Sequence, residues 1–327
     1  MDISIVVSQM LKLFLMICLG TLLAKIEILD LHTKQKLTKL LLHVTTPFMI
    51  IDAFHDRLQM VEAQAEHSQS LSVGYVFLMS FLFYAIMLLL SVLLVFLMRI
   101  PKENKKLFLF MTLFGNVGFM GFPIVSAVYG NEGLFYSAIL NCVFNIVIYT
   151  LGVLLMTAKP AGTGKFLENL HSIEWKKLLF SPAVIGSGVA ILVFSCHIRL
   201  PDILAETFDT IGGLTSPLAM LVVGANLSGI RIRELVSDWK LNFYAIVRQI
   251  ALPLVFWILI RRFTTHSILT PVWLLLSAMP IANTTALFAT EYHADEALAS
   301  KSIFLTTLLS LISFPLIIGI CSHSAGS

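Results

Sequence analysis

Apolar positions in this chain come in blocks, with polar positions gathered between them. A helix needs roughly 20 apolar residues to cross a bilayer core. Such runs lie near 3–24, 36–54, 71–98, 107–129, 133–157, 176–197, 204–228, 241–260, 268–290 and 297–320. They predict an all-α integral membrane protein with ten transmembrane helices. The first run exceeds the apolar core of a signal peptide, and its flanking charge, Lys25, follows it, so a retained span is expected. The seventh and tenth runs are the least clean, because Glu206, Asp209, Glu296 and Lys301 stand near their starts. The longest polar connections, 55–70 and 158–175, leave no room for a large soluble domain.

The fourth run carries an interruption, Gly115-Asn116-Val117-Gly118-Phe119-Met120-Gly121-Phe122-Pro123. Inside a helix each Gly costs about 1 kcal/mol relative to Ala, and Pro about 3. Pro123 also predicts a carbonyl near Phe119 without its helical partner. In hydrocarbon, freed backbone groups persist only where protein or a watery cavity satisfies them. The pattern therefore predicts a helix broken at mid-membrane, a candidate binding site. A glycine-lined packing seam with a proline kink is the plainer alternative. The ninth run has a similar centre, Ala278-Met279-Pro280-Ile281-Ala282-Asn283-Thr284-Thr285. If both runs break and cross, their second halves begin face to face. Each helix N-terminus carries about half a positive charge and several unpaired N–H donors. Two of them, with Asn116 and Asn283 alongside, would suit a carboxylate or other oxyanion.

The two halves resemble each other weakly but in order. Thr45-Thr46-Pro47-Phe48-Met49 in the second run recurs as Thr215-Ser216-Pro217-Leu218-Ala219-Met220 in the seventh. Tyr129-Gly130-Asn131-Glu132-Gly133-Leu134 after the fourth recurs as Tyr292-His293-Ala294-Asp295-Glu296-Ala297-Leu298 after the ninth. Five spans per half is an odd number, so the second copy would be inverted. The expected division is 1–157 and 176–327, joined by a cytoplasmic linker over 158–175.

Composition sharpens this picture. Of 327 residues, 57% are hydrophobic and 13% charged, about half the charged share of a soluble domain. Mean hydropathy is +0.89. The net charge of +3 matters less than where the cations fall. Odd-numbered loops hold 15 Lys and Arg, among them Lys34, Lys102, Lys105 and Arg231, whereas even-numbered loops hold Arg57, Arg199, Arg261 and Arg262. This bias puts odd loops in the cytoplasm and both termini outside the cell membrane. Cys18, Cys142, Cys196 and Cys321 are far apart, show no metal-binding spacing, and are expected as buried thiols. No nucleic-acid-binding pattern, metal cluster, cofactor motif or nucleophile–base pair occurs, so an enzyme is not expected.

Polar residues within the spans are few. Asp52, Glu206, Asp209, Glu291 and Glu296 all fall near predicted segment ends, which favours an anionic or neutral substrate over a cation. Arg248 lies about seven residues into the eighth span, either lining the anion path or snorkelling to the surface. Lys12 and Lys301 are expected to snorkel. Asn141 and Asn145 share a helix face, open to cavity lining or to the commoner use, interhelical hydrogen bonding. His43 is a candidate for a coupling proton, with a neutral structural histidine the commoner case. Pro47 and Pro217 would hinge or kink their spans.

Gly115-Asn116, Gly118-Phe119, Gly121 and Pro123, with Met279-Pro280 and Ser216-Pro217-Leu218-Ala219-Met220, resemble the auxin efflux carrier family. That family includes plant auxin carriers and bacterial permeases for malate or malonate. The resemblance runs the length of the chain. It implies two inverted five-helix repeats divided into scaffold and transport domains, crossing helices four and nine, an elevator-like motion, and a homodimer. In the plant members asparagines at the crossing hold the substrate carboxylate. By this resemblance Asn116 and Asn283, with Gly115, Gly118, Gly121, Pro123, Pro280, Thr284 and Thr285, become the candidate substrate-binding residues. Arg248, His43, Asn141, Asn145, Pro47 and Pro217 are pathway or coupling candidates. The long cytoplasmic loop of many plant carriers has no counterpart here. The expected function is secondary or facilitative transport of small organic anions. The alternatives are a proton-coupled dicarboxylate permease or exchanger and a membrane receptor that binds an anion without moving it.

Overall fold

The computed structural model describes residues 3–63, 71–157, 182–228 and 238–324. Helix α1 (Ile3–Lys25) is followed by α2 (Leu31–Leu40), a π-helical turn at Leu41–Thr45, and α3 (Thr46–Ala63). Then come α4 (Val73–Leu97) and the short α5 (Lys105–Leu113). A π turn at Val117–Gly121 leads into α6 (Phe122–Val147), and another at Ile148–Gly152 into α7 (Val153–Thr157). The second half contains α8 (Pro182–Ser195), α9 (Asp202–Gly213), α10 (Thr215–Leu227) and α11 (Trp239–Ile246). A π turn at Val247–Ala251 joins α11 to α12 (Leu252–Ile260). Last come α13 (Leu269–Ser277), α14 (Thr284–Glu291) and α15 (Glu296–Ser324).

Six helical stretches among the described residues are long and apolar enough to cross a membrane: Leu31–Gln59, Val73–Leu97, Val117–Thr157, Asp202–Asn226, Trp239–Ile260 and Glu296–Gly319. Their outer faces expose large apolar side chains such as Leu78, Phe96 and Ile203, which suits contact with lipid. The described chain is all-helical, as expected for an integral membrane protein. Local signals set several ends. Asp30 caps α2 by accepting the Thr33 N–H at 2.7 Å, and Ser72 caps α4 by accepting that of Tyr75 at 3.2 Å. Within α6, Gly130 takes φ 62° and ψ −159°, a conformation that breaks the helix and that glycine tolerates best. This turn separates the predicted fourth and fifth spans.

Close helix contacts rest on glycine. A Cβ on Gly20 of α1 would lie 2.2 Å from the Leu221 carbonyl oxygen, and one on Gly224 of α10 would lie 2.0 Å from that of Ile17. The Thr21 hydroxyl crosses the same seam to the Gly224 carbonyl at 2.9 Å. At a second seam, a Cβ added to Gly186 of α8 would lie 3.0 Å from the Pro47 Cα in α3. Without water to drive association, helices in membranes depend on such close packing.

Two expectations need correction. The second span does not end at 54: α3 continues through Ala63, so Asp52 is buried inside a helix rather than at its end. The polar run is held by partners far off in sequence. Arg57 pairs with Glu132 at 2.9 Å, Asn131 donates to Asp56, and the Leu200 N–H donates to His55 Nε2 at 3.3 Å. Of the cysteines, Cys142 is buried, but Cys18 on α1 and Cys196 in the turn after α8 are exposed. The side chain of Cys321 and the linker 158–175 lie outside the described residues.

Candidate functional site

The backbone leaves α5 at Leu113 and turns extended at Phe114, with φ −106° and ψ 105°. Gly115 then pairs antiparallel with Ile281, in the gap between α13 and α14. Two hydrogen bonds close this pair: Asn116 N–H to the Pro280 carbonyl at 2.7 Å, and Ala282 N–H to the Phe114 carbonyl at 3.1 Å. The Ile281 N–H donates to the Thr306 hydroxyl of α15 at 3.1 Å. Two broken helices thus satisfy each other's freed groups, as a hydrocarbon setting demands. The break lies upstream of the position suggested by Pro123. That proline sits in the first turn of α6, where its missing N–H costs nothing.

Beyond each break a helix begins. Asn116 caps the turn Val117–Gly121, its Oδ1 accepting the Phe119 N–H at 3.2 Å. Asn283 occupies the cap position of α14 without a side-chain capping bond. Both helix starts open on one cavity of about 360 Å³. Its polar lining includes Asn116, Asn141, Asn145, Asn283, Thr284 and Thr215, and the Asn145 amide also donates to the Asn141 carbonyl at 2.7 Å. Thr215 and Thr284 belong to the lining, and their hydroxyls are buried without a hydrogen-bond partner among the described residues. Phe119, Phe122, Phe144 and Tyr149 supply an apolar wall. Among the described residues, the cavity lining contains no charged side chain.

The remaining candidates divide by position. Gly115 and Gly118 line the cavity; Gly121, Pro123, Pro280 and Thr285 do not. Gly121 instead faces α13, where a Cβ would meet Leu276 Cδ2 at 2.8 Å. The Thr285 N–H donates to the Ala282 carbonyl at 2.9 Å, and its buried hydroxyl has no partner among the described residues. His43 is exposed and bonds back to the Lys39 carbonyl at 3.0 Å, outside the cavity. Pro47 packs against Gly186, and Pro217 lies in the first turn of α10; neither lines the cavity.

Arg248 does not snorkel. It is fully buried, donating from Nε to the Met111 carbonyl at 3.2 Å and from Nη1 to the Met279 carbonyl at 2.5 Å. Its neighbour Gln249 donates to the Ala278 carbonyl at 2.5 Å. Three contributors escaped the sequence reading as site residues: Gln249, Thr215 and Thr46. The repeated Thr45-Thr46-Pro47 and Thr215-Ser216-Pro217 motifs carried the signal for the two threonines, since Thr46 and Thr215 both line the cavity. The π turns at Leu41–Thr45, Val117–Gly121 and Ile148–Gly152 each place residues on its wall, and such turns cluster at functional sites.

Known proteins place the chain in company. Residues 5–318 match a family described as "Membrane transport protein". An uncharacterized transporter of Methanocaldococcus jannaschii is 28% identical over 216 residues, 65% of this chain and 68% of that protein. Another, of Methanothermobacter thermautotrophicus, is 28% identical over 204 residues, 62% and 63% of the respective chains. A protein of Rhizobium meliloti described as a "putative malonate transporter" is 22% identical over 246 residues, 73% and 72% of the respective chains.

Proposed function

Because the chain belongs to the membrane transport protein family that includes the auxin efflux carriers, matched over 5–318, we propose that it carries small organic anions across the cell membrane. The observation behind this reading is the cavity where two helix starts open together, lined by four asparagines and an apolar wall. Two N-terminal dipole ends favour negative charge. Amides and hydroxyls, rather than fixed cations, would orient a carboxylate, and Phe119, Phe144 and Tyr149 would cover its organic part. A mono- or dicarboxylate fits this chemistry, and the malonate description of one relative agrees with it.

The same reading takes the two halves as inverted five-helix repeats. Their reciprocal packing supports it: α1 rests on α10 of the second half, and α8 rests on α3 of the first. The crossing helices would then move as a transport unit against a dimeric scaffold, with odd loops cytoplasmic and both termini outside. Counterflow in proteoliposomes tests the function. Preloaded unlabelled carboxylate should drive transient accumulation of the labelled compound for at least one member of a mono- and dicarboxylate panel. Carboxylate binding with no counterflow across the panel would make the protein an anion receptor instead.

A further inference from the structure

Arg248 carries a positive charge to a place with no exposure, and no carboxylate lies within ion-pair distance of it among the described residues. What it meets instead are carbonyls at the ends of two half-helices. Met111 belongs to the last turn of α5, and Met279 follows the end of α13. The final carbonyls of a helix lack intrahelical donors, and each C-terminus bears about half a negative charge. Two such ends together hold about one unit, which one guanidinium balances. Gln249 takes the neighbouring Ala278 carbonyl. In transporters with broken helices, the C-terminal ends and unwound carbonyls are where a coupling sodium ion or proton is held.

We propose that Arg248 is a tethered cation occupying the cation place of this crossing, a role that rests on the anion-transport reading above. With the C-terminal ends neutralised from within, the positive N-terminal ends stay available to the anion, and no sodium ion is needed there. The packing accommodates the guanidinium closely. A Cβ at Gly115 would sit 3.3 Å from the Met279 carbonyl oxygen and 3.5 Å from Arg248 Nη2, which has no hydrogen-bond partner among the described residues. Gly115 also lines the cavity, so the charge lies directly behind the anion site.

The test compares the full-length wild type with Arg248→Lys, which keeps a cation, and Arg248→Met, which keeps bulk without charge. Wild-type carboxylate uptake should be unchanged when choline replaces sodium. Arg248→Met should lose about tenfold or more of that uptake, as loss of a buried charge partner predicts. Arg248→Lys should retain a larger share. Millimolar sodium or guanidinium should raise the thermal-unfolding midpoint of Arg248→Met but leave that of the wild type unmoved. This last readout needs no substrate, so it stands even if no carboxylate is transported. Sodium-dependent wild-type uptake, equal uptake by the Lys and Met variants, or a Met variant insensitive to both cations would each overturn the assignment.

Discussion

The main-chain N–H of Asn116 donates to the Pro280 carbonyl across 2.7 Å, joining two helix breaks that lie far apart in sequence. This bond does local and distant work together. It satisfies a proline carbonyl that has left the helix pattern, and it fixes the residue whose side chain caps the next helix turn. The two helix starts are thereby held in one register beside the cavity. Neither break is stable alone in hydrocarbon, so each half of the chain requires the other.

Replacing the two asparagines should separate binding from folding. Asn116→Ala removes a capping bond and should cost about 1 kcal/mol of stability. Asn283 makes no such bond, so Asn283→Ala should leave the unfolding midpoint near wild type. Each variant should weaken carboxylate affinity by about tenfold, the loss of roughly one hydrogen bond to a charged group. Isothermal titration calorimetry on the purified protein reads this directly; wild-type affinity in both would remove the asparagines from the site.

Gly121 tests the crossing itself. A Cβ there meets the far end of a flexible side chain, Leu276 Cδ2 at 2.8 Å, so Gly121→Ala should fold with a small shift. Gly121→Leu needs room that Met279 Cγ, 3.7 Å from the same point, also occupies. That variant should lose transport and about 1–3 kcal/mol of stability through overpacking. Normal counterflow by Gly121→Leu would mean that these helices do not stay in contact during transport.

The glycine run and Met279-Pro280 made both interruptions legible, because helix propensity is a local property. The place of the first break was less so. Pro123 pointed downstream, whereas the chain opens at Phe114, where Ile281 offers a backbone partner that no local pattern reveals. The buried stretch around Asp52 was hidden for the same reason: Glu132, Asn131 and Leu200 compensate Arg57, Asp56 and His55 from distant positions. Arg248 left two readings open, and the carbonyls of Met111 and Met279 exclude the surface one. The π turns carry no compositional mark.

Among the described glycines, those at the seam between α1 and α10 should tolerate a side chain least. A Cβ at Gly224 would stand 2.0 Å from the backbone oxygen of Ile17, which cannot swing aside. Gly224→Ala should therefore destabilise by about 1–3 kcal/mol or more, despite alanine's better helix propensity. Gly188 in α8 is the control, since nothing lies within 4 Å of its added Cβ. Gly188→Ala should gain up to about 1 kcal/mol. Thermal unfolding in detergent followed by size-exclusion chromatography ranks the two, and equal midpoints would contradict the contact.

Arg57 and Glu132 offer the last test, because their ion pair ties α3 to the start of the helix after Gly130. Their N–O distance is 2.9 Å, and the side chains are 9% and 24% exposed. Such partial burial makes each partner costly to remove singly, since the survivor keeps its charge without compensation. Arg57 also lies 6.0 Å from the Phe135 ring centroid, so its loss removes packing and cation–π attraction as well. Arg57→Met should thus cost more than Glu132→Gln, about 1–3 kcal/mol against about 1. Combining them should cost less than the two single losses added, with a coupling of at least about 0.5 kcal/mol. Strict additivity in a double-mutant cycle would show that the pair adds nothing beyond its separate contacts.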